Sequence, residues 1–167
     1  IHDRPKSVES RKTIGHWEGD TVRGAKWSGC IGTQVERVSR YAVLFKIPDR
    51  TAASFTEANI QAFEKIPKSK RRSFTVDHGK EFSQHRELSA KLNCKVYFAD
   101  PHAPWQRGTN ENFNGLLRQF FPKRSSFAEV TQSDVDAIAS LLNRRPRKSL
   151  GWRSPEEVFF EKSLHLT

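Results

Sequence analysis

The apolar residues of this chain change period once, and that change constrains the fold more than any other feature. Between residues 13 and 47 they alternate with polar ones, the two-residue repeat of a half-buried strand. Ile14, His16, Glu18, Asp20 and Val22 share one face of a first strand over residues 13–23. Residues 24–29, with a glycine at each end, form a hairpin-type turn. Ile31, Thr33 and Val35 alternate in a second strand. Tyr41, Val43, Phe45 and Ile47 do so in a third, after a turn at Ser39 and Arg40. Three strands joined in this way predict an antiparallel meander.

The spacing then becomes helical. Ala52, Phe55, Ala58, Ala62 and Phe63 mark a first helix, capped at Asp49 or Thr51. Residues 73–76 are a short strand that ends at Asp77, residues 81–92 a helix that Glu81 starts, and residues 95–99 another strand. Residues 101–105 form a loop with two prolines. Phe113, Leu116, Leu117, Phe120 and Phe121 follow at i, i+3, i+4, i+7 and i+8, in a helix that Pro122 ends. Residues 133–143 read as a helix opened by a capping-box-like pair, Ser133 and Asp136. Residues 144–153 are a basic loop, and Ser154-Pro155-Glu156-Glu157 opens a last helix. Strand–helix–strand alternation implies a parallel crossover beside the antiparallel hairpins. The expected fold class is α/β, a mixed five-stranded sheet flanked by helices. Residues 1–12 are expected to be an extended arm and residues 13–167 one domain.

With 167 residues the chain is long enough for one sizeable core. Mean hydropathy is low at −0.72, but 12 Phe and 4 Trp supply large apolar surfaces and argue against disorder. No run approaches 18 apolar residues, which excludes a membrane-spanning helix. Residues 1–10 are polar and charged, unlike a signal peptide, and the expected location is the cytoplasm. Met is absent even at position 1, as in a fragment or a processed chain. Cys30 and Cys94 have no metal-ligand spacing and are expected to be buried thiols on strands.

The net charge of +10 points to a polyanionic partner. It is spread evenly: +4 over residues 1–50, +3 over 51–100 and +3 over 101–167. Two basic clusters stand out, Lys65, Lys68, Lys70, Arg71 and Arg72, then Arg144, Arg145, Arg147 and Lys148. Each is either a nucleic-acid contact or a solvated loop.

Among the acids, Asp20 lies on the first strand, which the pattern makes central. Asp77 follows the carboxyl end of the fourth strand, where functional crevices of open α/β sheets form. Glu111 lies on a helix. At about 100° per residue, the apolar stripe falls roughly 140–280° from Glu111. Arg107, Gly108, Asn114, Gly115 and Arg118 fall on the Glu111 side. The two glycines weaken that helix, and close approach of a backbone or ligand would account for them. Three carboxylates from three elements suit a hard divalent cation, which completes its shell with water and phosphate oxygens. Two such ions about 3.5–4 Å apart stabilise the attacking and leaving oxygens of an in-line displacement at phosphorus. With 19 acids in the chain, spacing alone does not single out this triple.

Four ordered motifs carry a resemblance. They are Gly15-His16-Trp17-Glu18-Gly19-Asp20, Thr75-Val76-Asp77-His78-Gly79-Lys80-Glu81-Phe82, the run from His102 through Glu111 to Pro122, and the tail from Asn143 to Phe159. Together they resemble the catalytic core of bacterial insertion-sequence transposases of the IS thirty family. That family lies within the DDE superfamily, whose ribonuclease H-like fold retroviral integrases share. The 33 residues between Asp77 and Glu111 match the family's spacing. The resemblance implies that Asp20, Asp77 and Glu111 hold two Mg²⁺ or Mn²⁺ ions. It implies cleavage of DNA strands at the element's ends and transesterification into target DNA, without a covalent protein–DNA intermediate. It also implies a homo-oligomer acting in a synaptic complex. The family's N-terminal helix-turn-helix has no counterpart in this chain, so recognition of the ends is expected to lie elsewhere. One departure stands out: His78 occupies a position where the family usually has Asn.

Arg107, Asn114 and Arg118 are expected to contact DNA, together with Lys70, Arg71, Arg72 and the basic cluster at 144–148. Glu18 reads either as support for Asp20 or as a structural ion pair, and His102 as a site group or a loop histidine. Trp17, Trp105 and Trp152 are expected in the core rather than stacked on bases, and Trp27, in the hairpin turn, is expected on the surface as the better candidate for contacting DNA or a partner. Two other functions remain open on sequence: a nuclease of the same fold without strand transfer, and an inactive DNA-binding module.

Overall fold

The computed structural model describes residues 1–160. The expected strands form as β1 (His16–Arg23), β2 (Cys30–Glu36), β3 (Ala42–Ile47), β4 (Ser73–Val76) and β5 (Lys95–Phe98). They make one mixed sheet in the order β3-β2-β1-β4-β5. β1 pairs antiparallel with β2 and parallel with β4, so it is the central strand. The helices are α1 (Ala52–Glu64), α2 (His85–Leu92), α3 (Gly108–Leu117), α4 (Gln132–Arg144) and α5 (Pro155–Phe160). The described residues thus form the mixed five-stranded sheet with flanking helices that the change of period predicts.

Both faces of the sheet are covered, and alternation along the strands sorts the core into two layers. On one face Val22, Ile31, Val35, Ala42 and Leu44 pack against Phe113 and Leu117 of α3 and Val135 and Leu142 of α4. On the other, Trp17 and Phe74 pack with Phe63 of α1, Leu88 and Leu92 of α2, and Phe159 of α5. Cys30, Phe45, Ile47 and Val76 extend this layer to Phe55 and Phe82. Trp17 sits edge-on to Phe63 at 4.8 Å and to Phe159 at 5.5 Å, geometries that aromatic quadrupoles favour. At the sheet edge, the Asn143 side chain donates to the Ala42 carbonyl and accepts from the Ala42 N–H, both at 2.8 Å. An α4 side chain thereby satisfies backbone groups that an edge strand otherwise leaves open.

Several boundaries differ from the sequence reading, each for a local reason. Residues 1–12 are not simply extended. They contain a short 3-10 turn, Lys6–Val8, and bury Val8 and Arg4. Arg4 donates to Thr75 Oγ1 at 2.9 Å and pairs with Glu9, which pins the segment to the sheet. The helix expected from residue 81 begins at His85, because a 3-10 turn, Lys80–Phe82, first drops Phe82 into the core. α3 ends at Leu117, before Pro122: the Phe121 N–H still reaches the Leu117 carbonyl, and this last turn buries Phe121 against Phe127 while leaving Phe120 exposed. α4 is capped by Thr131 and Asp134 rather than Ser133 and Asp136, and α1 by Thr51. Arg144 belongs to α4, not to the loop after it. Cys30 and Cys94 are free and buried, but Cys94 precedes β5 instead of lying on a strand. Trp17 is buried and Trp27 exposed, as expected; Trp105 and Trp152 are exposed, against the sequence reading. The expected domain runs to residue 167, and residues 161–167 lie outside the described residues.

The buried His16 ring bonds Ser73 Oγ at 2.8 Å. Burial first, then the charges of Arg72, Arg37 and Arg4, push its pKa from 6.5 down to about 4. Between those values the unfolded chain binds the proton more readily, so His16 costs stability as pH falls from 6.5 toward 4. We expect His16→Gln to flatten the loss of urea midpoint between pH 7 and pH 4.5; an unaltered pH slope would show that His16 does not carry it.

Candidate active site

β1 and β4 run parallel with Glu18 beside Thr75, so two residues further on Asp20 and Asp77 face the same space. Each carboxylate commits one oxygen to local backbone and turns the other inward. Asp20 Oδ1 accepts the Thr21 N–H at 2.7 Å, and Asp77 Oδ1 accepts the Gly79 N–H at 2.8 Å. A Cβ on Gly79 would lie 2.8 Å from Asp77 Oδ1 and 2.6 Å from Glu81 Oε2, so a side chain there would push these carboxylates aside.

The inward oxygens meet Arg107, which enters the space just before α3. Its Nη2 donates to Asp77 Oδ2 at 3.0 Å, its Nη1 lies 3.5 Å from Asp20 Oδ2, and Nη1 also donates to the Gly19 carbonyl at 3.2 Å. Asn114, two turns along the same side, donates to Asp20 Oδ2 at 3.1 Å. Burial raises the Asp20 pKa, opposed by Arg107 and the Thr21 N–H and reinforced by Asp77 and Glu81. Glu81 is itself held by the Thr21 hydroxyl, which donates to Oε1 at 2.9 Å. It borders the site rather than merely starting a helix.

Glu111 lies on α3 between Arg107 and Asn114, on the stripe whose two ends both reach Asp20. Its side chain is exposed and forms no hydrogen bond or ion pair among the described residues. The structure therefore brings Asp20 and Asp77 together and leaves Glu111 beside them, not closed onto them. Among the described residues, no three His, Cys, Asp or Glu side chains are grouped closely enough to hold a metal ion. Arg107 already balances the inner pair, and a third carboxylate is better solvated outside.

Glu18 has a larger role than sequence reading assigns it. It is fully buried on the Asp20 face of β1. Its Oε2 accepts the backbone N–H groups of Thr109 (2.8 Å) and Asn110 (3.0 Å), the first turn of α3, and its Oε1 accepts from Arg37 at 2.9 Å. It is thus both the support and the ion pair that sequence left as alternatives. Asn110 adds a side-chain bond to the Glu18 carbonyl at 2.7 Å. Arg37, which the sequence reading passes over, continues the chain of charges to Glu9 at 3.3 Å. A carboxylate on the inward face of a strand, two residues before Asp20, was the available signal.

The residues expected to contact DNA separate by environment. Arg107 and Asn114 point into the site. Arg118 donates to the carbonyls of Arg23, Phe121 and Pro122, tying the end of α3 to the end of β1. Lys70 is held over the Phe159 ring and bonds the Phe159 carbonyl. Arg144 pairs with Glu156 at 3.2 Å. Arg72, Arg145 and Lys148 are exposed, Arg71 is half-buried, and Arg147 donates to the Leu142 carbonyl at 3.2 Å. His78 stacks on Phe98 at 5.2 Å, and His102 is an exposed loop residue. Gly108 and Gly115 have nothing within 4 Å of an added Cβ, so no part of the described protein approaches them closely.

The integrase core domain family matches residues 10–104, more than half of the chain and the part that contains both aspartates. The chain belongs to the integrase core domain family. It is 44% identical over all 167 residues to the transposase InsI of insertion sequence element IS30C from Escherichia coli (strain K12), covering 43% of that protein. It is 48% identical over 158 residues to the transposase of element IS1086 from Cupriavidus metallidurans, covering 95% of this chain and 47% of that one. The chain thus spans less than half the length of these curated relatives. The fold is ribonuclease H-like: it aligns with the catalytic core domain of BIV integrase at a TM-score of 0.65 and 21% identity, covering 88% of this chain and 94% of that one. It also aligns with a simian T-cell lymphotropic virus intasome chain at 0.71 and 14%, covering 91% and 56%.

The family implies dependence on a divalent metal. Two hard carboxylate oxygens turned toward one guanidinium, each carboxylate braced by a backbone N–H, are a donor set that fits such a cation. Because the integrase core relies on Glu18 to place α3, Glu18→Ala leaves two helix N–H groups without an acceptor and the buried Arg37 with Glu9 as its one remaining carboxylate. The expected loss is about 3–5 kcal/mol of unfolding free energy, read from urea melts. A loss below ~1 kcal/mol would show the pair to be no more than a surface-type contact.

Proposed function

We propose that this integrase core is the catalytic domain of a DNA transposase, cutting DNA strands and joining a 3′ end to target DNA by transesterification. The observation that carries the reading is the pair Asp20–Asp77, set side by side on β1 and just past the end of the neighbouring β4, with one oxygen each directed at the Arg107 guanidinium. The likeness to two insertion-sequence transposases supports the reaction class. Asp20, Asp77 and Glu111 would hold two Mg²⁺ or Mn²⁺ ions. When bound, such ions activate water or a 3′-hydroxyl and stabilise the leaving oxygen at phosphorus.

The chain's own residues prepare that chemistry. The Thr21 and Gly79 N–H groups fix the two aspartates in orientation before any substrate arrives. Asn114 holds the inner oxygen of Asp20. Arg107 offsets part of the charge of the pair and would have to release both inner oxygens for Asp20 and Asp77 to hold a divalent cation. Glu18 locks the first turn of α3 to β1, so Glu111 is carried on a helix of fixed position. The excess of 10 positive charges binds the phosphate backbone and makes affinity salt-dependent. The substrate is DNA, and the IS thirty resemblance supports a homo-oligomer acting on paired ends. No helix among the described residues is long and apolar enough to cross a membrane, and we place the protein in the bacterial cytoplasm with its DNA.

Asp77→Asn is expected to abolish Mn²⁺-dependent nicking of duplex DNA and joining of 3′ ends while leaving DNA affinity within about twofold, because one neutralised acid changes few phosphate contacts. Nicking that survives would place the chemistry elsewhere, and nicking without joining in the wild type would make the protein a nuclease. Arg107→Ala removes the competing cation. Its thermal midpoint is expected to gain more from millimolar Mn²⁺ than the wild type does; an equal gain would show that Arg107 does not compete for the carboxylates.

A further inference from the structure

A cleft of about 450 Å³ opens on the other flank of α3, and three arginines from distant parts of the chain converge on it. Arg11 comes from the segment before β1, Arg40 from the β2–β3 turn and Arg147 from the connection between α4 and α5. Thr109 and Asn112 of α3 supply polar groups to the same wall, and no acidic residue lines it. Arg40 donates to Thr109 Oγ1 at 3.0 Å, which fixes its head at the α3 end of the cleft.

None of the three arginines has a carboxylate partner within ion-pair distance among the described residues. The buried acids nearest in charge to Arg40 are Glu18 and Glu36, and both are already committed. Glu18 serves Arg37 and two N–H groups of α3. Glu36 accepts from the backbone of Gly15, Val38 and Ser39 and from the Ser39 hydroxyl. Burial disfavours the charged form of Arg40 and Arg147, and Arg11 adds repulsion on Arg40. Partly desolvated like charges gathered without a counter-ion are costly, and a multidentate anion relieves that cost. Guanidinium forks match phosphate oxygens in particular.

The helix geometry relates this cleft to the carboxylates. At about 100° per residue, Arg107, Glu111 and Asn114 lie on one flank of α3, and Thr109, Asn112 and Leu116 on the other. Between them, facing away from the sheet, lie Gly108 and Gly115. Neither has any atom within 4 Å of an added Cβ, so the ridge between the flanks is low and open.

We propose that the Arg11–Arg40–Arg147 cleft is a binding site for a DNA backbone phosphate, reached by the same strand that enters the carboxylate site after it crosses α3 over Gly108 and Gly115. The proposal rests on the DNA-processing function above. A helix is about 10 Å across, and stacked nucleotides advance about 3.4 Å each. The phosphate in the cleft is therefore about three nucleotides from the one at the carboxylates. A free phosphate or a nucleotide presents the same oxygens, and the test separates them from DNA.

The test uses the whole chain with a fluorescein-labelled mixed-sequence duplex carrying a single-stranded 3′ extension, titrated by anisotropy over a range of salt. Arg11→Gln, Arg40→Gln and Arg147→Gln are compared with the wild type. Arg11 makes no side-chain hydrogen bond among the described residues, so its substitution acts on the ligand and not on the fold. Each variant is expected to weaken binding several-fold and to lower the slope of log affinity against log salt by about 0.7–0.9 per lost phosphate contact. In the wild type, a neutral methylphosphonate about three nucleotides from the nicked position should reproduce the loss, and in Arg11→Gln it should add nothing. Unchanged affinity and slope in all three variants, with Asp77→Asn still blocking nicking, would overturn the cleft and leave the function standing. A wild type that binds no DNA would overturn both. Inorganic phosphate that raises the wild-type thermal midpoint at micromolar concentration, with DNA affinity the same in every variant, would make the cleft a small-anion site and overturn the proposal.

Discussion

A single buried carboxylate, Glu18, holds the parts of this protein in register. It sits under the first turn of α3, accepts two of the N–H groups that a helix start leaves without partners, and returns its other oxygen to Arg37. An anion is favourable at a helix N-terminus because the peptide dipoles converge there. Its burial is tolerable because both carboxylate oxygens are hydrogen-bonded and one faces a guanidinium. The consequence is geometric. β1 carries Asp20 two residues further on, and α3 carries Glu111 directly after its clasped residues, so one interaction sets the distance between elements that must act together.

Charge organises what surrounds that clasp. The segment before β1 stays on the sheet because Arg4 and Arg37 share Glu9, and Arg4 reaches Thr75. The same strand register that places Glu18 beside Thr75 places Asp20 beside Asp77, whose mutual repulsion Arg107 offsets. On the other flank of α3, three arginines gather with no acid between them. The helix thus divides the surface into an acidic side suited to cations and a basic side suited to phosphates. That division gives the evenly distributed net charge a direction.

The sequence made the strands and the order of elements legible because alternation and helical spacing are local properties. Asp77 could be placed from its strand end, and Asp20 from the centrality of β1. Boundaries were less legible. α3 was read through to Phe121, but only packing shows that Phe121 turns inward to Phe127 while Phe120 stays in solvent. Thr131 rather than Ser133 caps α4 because its hydroxyl meets the Asp134 N–H while the Asp134 carboxylate bonds back to Thr131. Hydrophobicity alone puts Trp105 and Trp152 in the core, yet Trp105 lies in a 3-10 turn, Pro104–Arg107, and Trp152 in a turn, and both stay mostly exposed.

The sequence by itself determined the family, the sheet with its flanking helices, and which acids to watch, because each is written in local periods and ordered motifs. Tertiary structure alone decided the charge pairing. Whether Arg107 meets phosphate or carboxylate, whether Glu18 is a surface acid or the clasp of a helix, and whether Arg11, Arg40 and Arg147 are scattered or convergent depend on contacts between segments up to 136 residues apart. Electrostatic energy depends on distance and burial in space, and no local pattern in a chain records either.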